Sequence, residues 1–360
     1  MKKRDIALLA TALIVVVGAI IFFTRQRKPI QYQGKDAWEW ALALQSPITG
    51  AKEAGTIALG AMGTNAVPRL VEQLEYQESF TRKSRLWLGK KLPGQLGTTV
   101  TRGLKPVFIG DIHWVAARAL QVLGTNAATA TPALLRALRT DPEAQVTWDS
   151  ATTLGVIGAP AVPGLIELLK EPNQRVRHAA AYALGQVGAP ALPAAPALIR
   201  SAADPNGEVR GSSLYSLSRI GPAAGPVALK VVQENRGELR RAGALALVAL
   251  HPRGQLTLPV LVEMFRDPDP ASRAIAIEAL MKLTVTHTNA MDVYFAGLKD
   301  TNAAVRLAAV NSLGQAAHKS AAAIPTLTSL QRDDPDEAIR IAAGDALEKI
   351  SAASATKTSP

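Results

Sequence analysis

The 360-residue sequence predicts an all-α fold in which helical hairpins stack along the chain. An arginine recurs at intervals of 30 to 34 positions, with an acidic residue six positions before it and a leucine seven positions after it. The acid and arginine columns are Glu171 with Arg177, Asp204 with Arg210, Glu234 with Arg240, Asp267 with Arg273, Asp300 with Arg306, and Asp334 with Arg340. The leucine column continues toward the N-terminus as Leu154, Leu120 and Leu59, which gives nine units.

Each unit has the pattern of two helices separated by a turn. In one unit, Val176, Ala180 and Leu184 share a helical face, and Gly188 follows, where a helix commonly ends at a positive φ that costs glycine little. A proline then opens the second helix, because the first turn of a helix leaves its N–H groups unpaired in any case. These prolines are Pro68, Pro132, Pro163, Pro196, Pro226, Pro259 and Pro325. A single hairpin of this kind cannot cover its own apolar face, so the units must stack.

The pattern acid-x5-Arg-x6-Leu-x3-Gly, followed by a proline-led helix, resembles the short HEAT-like repeat of the phycobilisome-lyase type. Asp204, Arg210, Leu217, Gly221 and Pro226 carry this resemblance, together with their equivalents in the other units. It covers roughly residues 48–350. The resemblance implies a right-handed α-α superhelix of about nine hairpins, with the second helices lining its concave side.

The acid and arginine columns have two interpretations. We expect each arginine to pair with the acid six positions before it, which would tie the turn between two units to the helix that follows. If such pairs are shielded from water, loss of one partner leaves an unmatched charge. The alternative is a row of arginines that binds phosphate groups.

An apolar segment precedes the repeats. Residues 6–23 carry no charge over 18 positions, long enough to span most of a hydrocarbon core of about 30 Å. Basic residues flank it on both sides, and no small-x-small cleavage site follows, so we predict a retained anchor after a basic tail at residues 1–5. The N-terminal basic cluster favours a cytoplasmic N-terminus and places the repeats outside the cytoplasm. The absence of cysteine excludes disulfides and a lipid-modified cysteine.

Residues 24–47 are predicted to form a linker and an N-terminal cap. The stretch from Tyr32 to Lys35 has the composition of a turn, and Asp36 is expected to cap a short helix that carries Trp38 and Trp40. Terminal units of an array must cover its exposed edge. A specific docking motif is the alternative for this helix. The lead-in is similar to that of membrane-anchored bacterial HEAT proteins. At the other end, residues 351–360 are predicted to be disordered.

The net charge of +11 is unevenly distributed. Residues 1–35 contribute +6, whereas residues 106–360 hold 24 basic and 22 acidic side chains. A nucleic-acid-binding array requires a continuous basic groove, so this near-neutral composition argues against nucleic acid as the partner.

One segment is strongly basic. The interval from Leu59 to Leu120 is 61 positions, which indicates an insertion of roughly 28 residues at about 77–110. Long insertions in a repeat array commonly map to loops on a binding face. The candidate contacts for a partner or a membrane surface are Arg82, Lys83, Arg85, Trp87, Lys90 and Lys91. The alternative to a protein-binding loop is a basic loop lying on anionic lipid or over the end of the array.

The sequence contains no recognisable catalytic motif. The five histidines lack both a following glutamate and the His-x3-His spacing, so they do not match the iron site of deoxyhypusine hydroxylase, a HEAT-repeat enzyme. Solvated or turn-contacting histidines are expected instead, His113 lying at an arginine-column position. We expect no cofactor, metal or catalytic residue.

The second helices carry charges near both ends. Glu167 and Glu263 follow their entry prolines by four positions, and cations follow by seven, at Arg139, Lys170, Arg266 and Arg332. Carboxylates near the start of a helix and cations near its end suit the helix dipole. On a concave side, the cations would also suit a partner with an acidic surface.

These patterns favour a membrane-tethered, non-catalytic scaffold that binds another protein. The alternative is an enzyme or an enzyme-assisting HEAT-like module, similar to a chromophore lyase or to a nucleic-acid-binding glycosylase.

Overall fold

The computed structural model describes residues 30–77, 87, 91, 109–251, 257–283, 288–317 and 320–355. The predicted anchor at residues 6–23 lies outside these ranges. Within them, every helix is too short or too polar to cross a bilayer. The chain divides into two compact units, Met1–Thr153 and Leu154–Pro360.

The first unit begins with a small antiparallel hairpin and continues as helices. Its elements are β1 (Gln31–Tyr32), β2 (Lys35–Asp36), α1 (Ala37–Ala43), α2 (Ala51–Met62), α3 (Val67–Leu74), α4 (Ile109–Leu123), α5 (Thr131–Thr140) and the first part of α6 (Ala144–Ile157). Short 3-10 turns join α2 to α3 and α4 to α5. Apart from the two-residue strands β1 and β2, the regular structure described in this unit is helical, as predicted.

The second unit is a regular alternation of first and second helices. After the end of α6 come α7 (Val162–Leu168), α8 (Gln174–Val187), α9 (Ala195–Ser201), α10 (Gly207–Ile220), α11 (Gly225–Glu234), α12 (Gly237–Leu250), α13 (Thr257–Phe265), α14 (Pro270–Met281), α15 (Thr288–Gly297), α16 (Ala303–Gln315), α17 (Ile324–Asp333) and α18 (Glu337–Ala355). Helix α8 packs on α10, α10 on α12, α12 on α14, α14 on α16, and α16 on α18. The first helices of this unit therefore form a stack.

The leucine column forms the interior, as predicted. Leu59, Leu120, Leu154, Leu184, Leu217, Leu247, Leu280 and Leu313 are all buried. Leu347 lies in α18 and is partly exposed. No second helix follows α18 among the described residues, so these contain eight hairpins and a terminal helix rather than the nine hairpins expected.

The local signals for helix ends also hold, except that Pro259 is the third residue of α13 and does not open it. Gly188 and Gly221 end α8 and α10 with φ of +71° and +91°, values that other residues adopt only with strain. A proline occupies the first or second position of α3, α5, α7, α9, α11 and α17. The prediction of disorder from residue 351 is wrong for Ser351–Ala355, which continue α18, because alanine strongly favours helix.

The N-terminal cap has the predicted capping residue. The Asp36 side chain accepts from the Glu39 N–H at 2.8 Å, and Glu39 accepts from the Asp36 N–H at 2.8 Å. The Trp40 indole N–H donates to the Tyr32 carbonyl at 2.9 Å, which fastens the β-hairpin to α1. Lys35 lies over the Trp40 ring, 4.5 Å from its centroid.

Substitution of a column leucine should test this interior. Leu217→Ala is expected to lower the free energy of unfolding by about 2–5 kcal/mol, because it removes a fully buried side chain and leaves a cavity. Leu192→Ala is the matched control, since Leu192 lies in the same unit and is 37% exposed. Chemical denaturation of both variants measures the difference. Equal effects would show that the column is not the core.

Candidate functional site

The column arginines bind acids in the turns between repeats. These arginines and acids together are called the inter-repeat ladder. Arg177 Nε donates to Asp204 Oδ2 at 2.7 Å, and its Nη2 donates to Asp204 Oδ1 at 3.0 Å. Its Nη1 donates to the backbone carbonyls of Glu171 and Pro172 at 2.9 and 2.8 Å. One guanidinium thus joins the turn before α8 to the turn before α10.

Each arginine of the ladder with its contacts is called a rung. Two further rungs repeat the geometry of Arg177. Arg273 binds both oxygens of Asp300 at 2.8 Å, and Arg306 binds both oxygens of Asp334 at 2.8 and 2.9 Å. Each also donates from Nη1 to two carbonyls of the preceding turn. Bidentate contacts of this kind are the stronger form of a charged hydrogen bond.

The structure corrects the expected pairing. The carboxylate partner of each of these arginines lies 27 or 28 positions after it, whereas the acid six positions before it contributes its backbone carbonyl. The reason lies in the turn itself. Each aspartate accepts from the backbone N–H two residues ahead, as Asp204 does from Asn206 at 2.8 Å and Asp300 from Asn302 at 2.9 Å. The aspartate thereby binds its own turn and, at the same time, the arginine of the preceding unit.

The ladder lowers the pKa values of its aspartates. Hydrogen bonds from Arg273 and Arg306 hold the pKa values of Asp300 and Asp334 below their usual range. Burial alone would raise the pKa of Asp204, but its hydrogen bonds from Arg177 and the Asn206 N–H outweigh burial and lower it. Folding therefore favours the ionised carboxylates.

Other members of the column make fewer contacts. Arg240 Nη1 donates to Asp267 Oδ2 at 2.6 Å and to the Ser272 hydroxyl at 2.7 Å. The contacts that the structure gives Arg210 and Arg340 are with the carbonyls of the turn before each. Glu234, the acid after Arg210, lies 3.9 Å from Lys230 on its own helix.

The first unit contains a rung that the arginine pattern does not include. His113 occupies the column position on α4, and its Nδ1 lies 2.5 Å from Asp141 Oδ2. Its Nε2 lies 2.8 Å from the Tyr76 carbonyl. The spacing of 28 positions to Asp141 matches that of Arg306 to Asp334. His113 therefore contacts two turns, as the ladder arginines do.

The basic segment is described at two positions. Trp87 and Lys91 are helical residues, both exposed, with 60% of Trp87 accessible to solvent. Arg82, Lys83, Arg85 and Lys90 lie outside the described residues. Their role as candidate contacts stays a prediction.

Cations of the second helices are paired with acids of the same helix or its end. Lys170 lies 2.9 Å from Glu167, Arg266 lies 3.6 Å from Glu263, and Arg332 lies 2.7 Å from Asp333. All these side chains are mostly exposed, so each pair contributes little to stability and can exchange its partner.

Sequence reasoning missed a buried carboxylate on α6. Asp149 is nearly inaccessible, and burial raises its pKa, although a hydrogen bond from Gln145 at 3.0 Å acts in the opposite direction. Within the described ranges, no cluster of three histidine, aspartate or glutamate side chains could hold a metal ion. A single shielded aspartate has no local sequence signature.

Each unit has a cavity among its described residues. One, of about 340 Å³ in the first unit, is lined by polar residues that include His113, Asp141, Glu75 and Arg136. The other, of about 550 Å³ in the second unit, is lined mainly by apolar residues of α11 and its neighbours, with His251 at its edge.

The ladder should make stability depend on pH. Because the folded-state pKa of Asp300 lies below its unfolded value, its contribution is fully present at neutral pH and is lost below about pH 4. Asp300→Asn should lower the free energy of unfolding at pH 7 by about 3 kcal/mol, since it leaves Arg273 without its partner charge. The difference from the parent should shrink on acidification, as measured by urea unfolding from pH 7 to pH 3.

The exposed pair of Arg332 and Asp333 provides the control for this prediction. Asp333→Asn should leave the unfolding curve unchanged at pH 7, because both side chains are accessible to water. An effect of Asp300→Asn that is independent of pH would contradict the role of its charge.

Comparison with known proteins gives the family. The HEAT-repeat family, described as HEAT repeats, matches residues 111–184, 131–218, 162–249 and 291–358, together more than half of the chain. No curated protein matches the sequence. The chain is similar to a number of solved structures. Three of them are a hydroxylase, a lyase complex and a karyopherin.

Human deoxyhypusine hydroxylase, in complex with glycerol, is 21% identical over 76% of this chain and 97% of that one, with a TM-score of 0.29. The CpcE–CpcF complex of phycocyanin lyase from a Nostoc species is 21% identical over 74% and 96%, with a TM-score of 0.32. Kap121p, bound to the extreme C-terminus of the phosphatase Cdc14p, is 12% identical over 98% of this chain and 45% of that one, with a TM-score of 0.46. The helical hairpins, the buried leucine column and the match over most of the repeats agree, and the chain belongs to the HEAT-repeat family.

Proposed function

We propose that this HEAT-repeat chain is a non-catalytic scaffold that binds another protein. The recurrent charged residues support this function, because the ladder arginines and aspartates hydrogen-bond to one another and to turns. Side chains used in this way fasten the repeats and are not available for catalysis. What the architecture then offers for function is the extended surface of the stacked repeats, as is usual for repeat arrays.

The proposed contact region is the basic segment around Trp87. Trp87 is the observation that carries the proposal, because a large aromatic side chain with 60% of its surface exposed is typical of a binding anchor. The sequence places Arg85 two positions before it and Lys90 and Lys91 shortly after it. A partner with an acidic surface and an apolar pocket fits this combination.

The proposed location is at a membrane, with residues 6–23 as the anchor and the repeats outside the cytoplasm. The support is the uncharged segment of 18 positions and the basic residues before it. The short distance in sequence from residue 23 to the cap would keep the repeats close to the lipid surface.

Neutralising the basic segment should separate binding from folding. A variant with Arg82, Lys83, Arg85, Lys90 and Lys91 changed to glutamine should retain the parental melting temperature and lose most of its partner capture from native membranes. The matched control changes the same number of exposed cations elsewhere, at Lys52, Arg200, Arg219, Lys299 and Lys349. Equal losses in both variants would show that net charge, rather than this segment, controls capture.

Site-specific cross-linking should identify what Trp87 contacts. A photoreactive amino acid at position 87 is expected to form a protein adduct in native membranes, whereas the same group at Ile341, also exposed, should not. Lipid adducts at position 87 would support the membrane-surface interpretation of the segment. No adduct at position 87 would contradict the proposed contact.

A topology reporter tests the location independently. Alkaline phosphatase fused after Pro360 should be active and a fluorescent protein that matures only in the cytoplasm should be dark. An inactive phosphatase and a fluorescent reporter would place the repeats in the cytoplasm. The scaffold function would then still be decided by the cross-linking test.

A further inference from the structure

We propose that the fork of Arg210 is a binding site for a carboxylate of a partner protein, which takes the place of an aspartate that this repeat lacks. The fork is the Nε and Nη2 pair of the guanidinium. At Arg177, Arg273 and Arg306 the same pair binds both oxygens of an aspartate. The site rests on the proposed scaffold function, because its ligand is an acidic segment of another protein, but it uses other residues than the segment around Trp87.

Arg210 is already held in the orientation of the complete rungs. Its Nη1 donates to the carbonyls of Asp204 and Pro205 at 2.8 and 2.9 Å, as Arg177 Nη1 does to the two carbonyls of the turn before it. A side chain that is positioned in advance loses less conformational entropy when it binds a ligand. Arg210 is also exposed, so that a ligand can reach it from solvent.

No carboxylate among the described residues is bound at this fork. Glu234 has the position of the ladder aspartate, since it follows its entry proline by eight positions, as Asp204 does. The Glu234 side chain is 62% exposed and lies 3.9 Å from Lys230 on its own helix. Asp204, the acid of the turn before Arg210, has both carboxylate oxygens on Arg177. Two donor nitrogens of Arg210 are therefore left for a ligand.

The turn at Glu234 also leaves a backbone donor open. In the preceding turn, Asp204 accepts from the Asn206 N–H, and Asn206 caps α10 with its side chain. The equivalent residue before α12 is Arg236, whose side chain makes no capping contact, and its N–H has no acceptor in the described part of the chain. A side-chain carbon added at the next residue, Gly237, would meet no other atom within 4 Å, so the turn is open. A carboxylate seated as Asp204 is would accept from this N–H as well as from the fork.

The charges around the turn favour an anion. The Arg236 side chain is 73% exposed and lies 3.7 Å from Asp267, which has a shorter contact with the ladder. Glu238, in the first turn of α12, is offset by Arg241 at 3.5 Å. The N-terminal end of α12 itself carries a partial positive charge. Arg210 is then the cation whose charge an incoming carboxylate would balance.

The chain itself shows which ligand the fork fits. At the three complete rungs the occupant is an aspartate, with nitrogen–oxygen distances of 2.7 to 3.0 Å. The two oxygens of a planar carboxylate match the two parallel N–H groups of the guanidinium, which is the geometry of strong bidentate contacts. An aspartate or glutamate in an exposed segment of a partner would complete the rung from outside.

NMR of the full-length protein with nitrogen-labelled arginine tests this site. The probe is the blocked peptide acetyl-Gly-Asp-Gly-amide, and the matched peptide has asparagine at its centre. The Arg210 Nε–H signal should shift and saturate at millimolar concentrations of the aspartate peptide, and the asparagine peptide should leave it unchanged. The signals of Arg177 and Arg273 should stay in place, because aspartates already occupy their forks. Arg219, an exposed arginine of the same helix, controls for unspecific attraction.

Four results would overturn the proposal. The first is an Arg210 signal that does not respond, and the second is an equal shift at Arg219. The third is an Arg210 signal that coincides with that of Arg177 before peptide is added, since Glu234 would then fill the fork. The fourth is displacement of the peptide by a lower concentration of inorganic phosphate. Cross-linking at position 87 decides the scaffold function separately, so a negative result at Arg210 removes this site and not that function.

Two variants sharpen the test. Glu234→Asp combined with Asn235→Pro and Arg236→Asn gives this turn the sequence of Asp204–Gly207. Its own aspartate should then occupy the fork, move the Arg210 signal toward those of the complete rungs, and abolish the response to the peptide. Arg210→Lys keeps the charge but loses the fork, so saturation-transfer NMR of the peptide should show binding weakened by about tenfold. A combined variant that still responds, or a lysine variant with parental affinity, would contradict the site.

Discussion

The structure depends on one repeated interaction, a guanidinium that binds two backbone carbonyls on one side and an aspartate on the other. At Arg177 this interaction joins the end of one hairpin, the first helix of the next, and the turn that follows it. Removing a charged group from water is costly, and the cost is offset only when its hydrogen bonds are satisfied. Four donor contacts per arginine meet this condition at the complete rungs, so the ladder fixes the spacing of the hairpins there.

Close helix packing complements the ladder. A side-chain carbon added at Gly185 of α8 would come within 2.5 Å of the Ser216 hydroxyl on α10, so only glycine permits this approach. The Ser216 hydroxyl in turn donates to the Ala181 carbonyl at 2.6 Å. Small residues therefore bring the first helices together, while the leucine column fills the space beneath them. The interior is used for stacking, and the features left for function are the departures from the repeat.

These departures lie at particular rungs. The turn at Glu234 lacks the aspartate of its neighbours, and the rung on α4 has His113 in place of arginine. The long insertion is predicted at about 77–110. It therefore begins directly after Tyr76, whose carbonyl lies beside His113.

The sequence by itself determined the helical hairpins, the buried leucines, the helix-ending glycines and the cap at Asp36, because each depends on residues within about one helical turn or one hairpin. The tertiary structure alone decided which acid each arginine binds. Glu171 and Asp204 are both acids of the column, and Arg177 takes the carbonyl of one and the carboxylate of the other. That choice follows from the stacking of one repeat on the next, which brings together residues 27 positions apart. The same stacking placed His113 between two acceptors, an arrangement that no local pattern encodes.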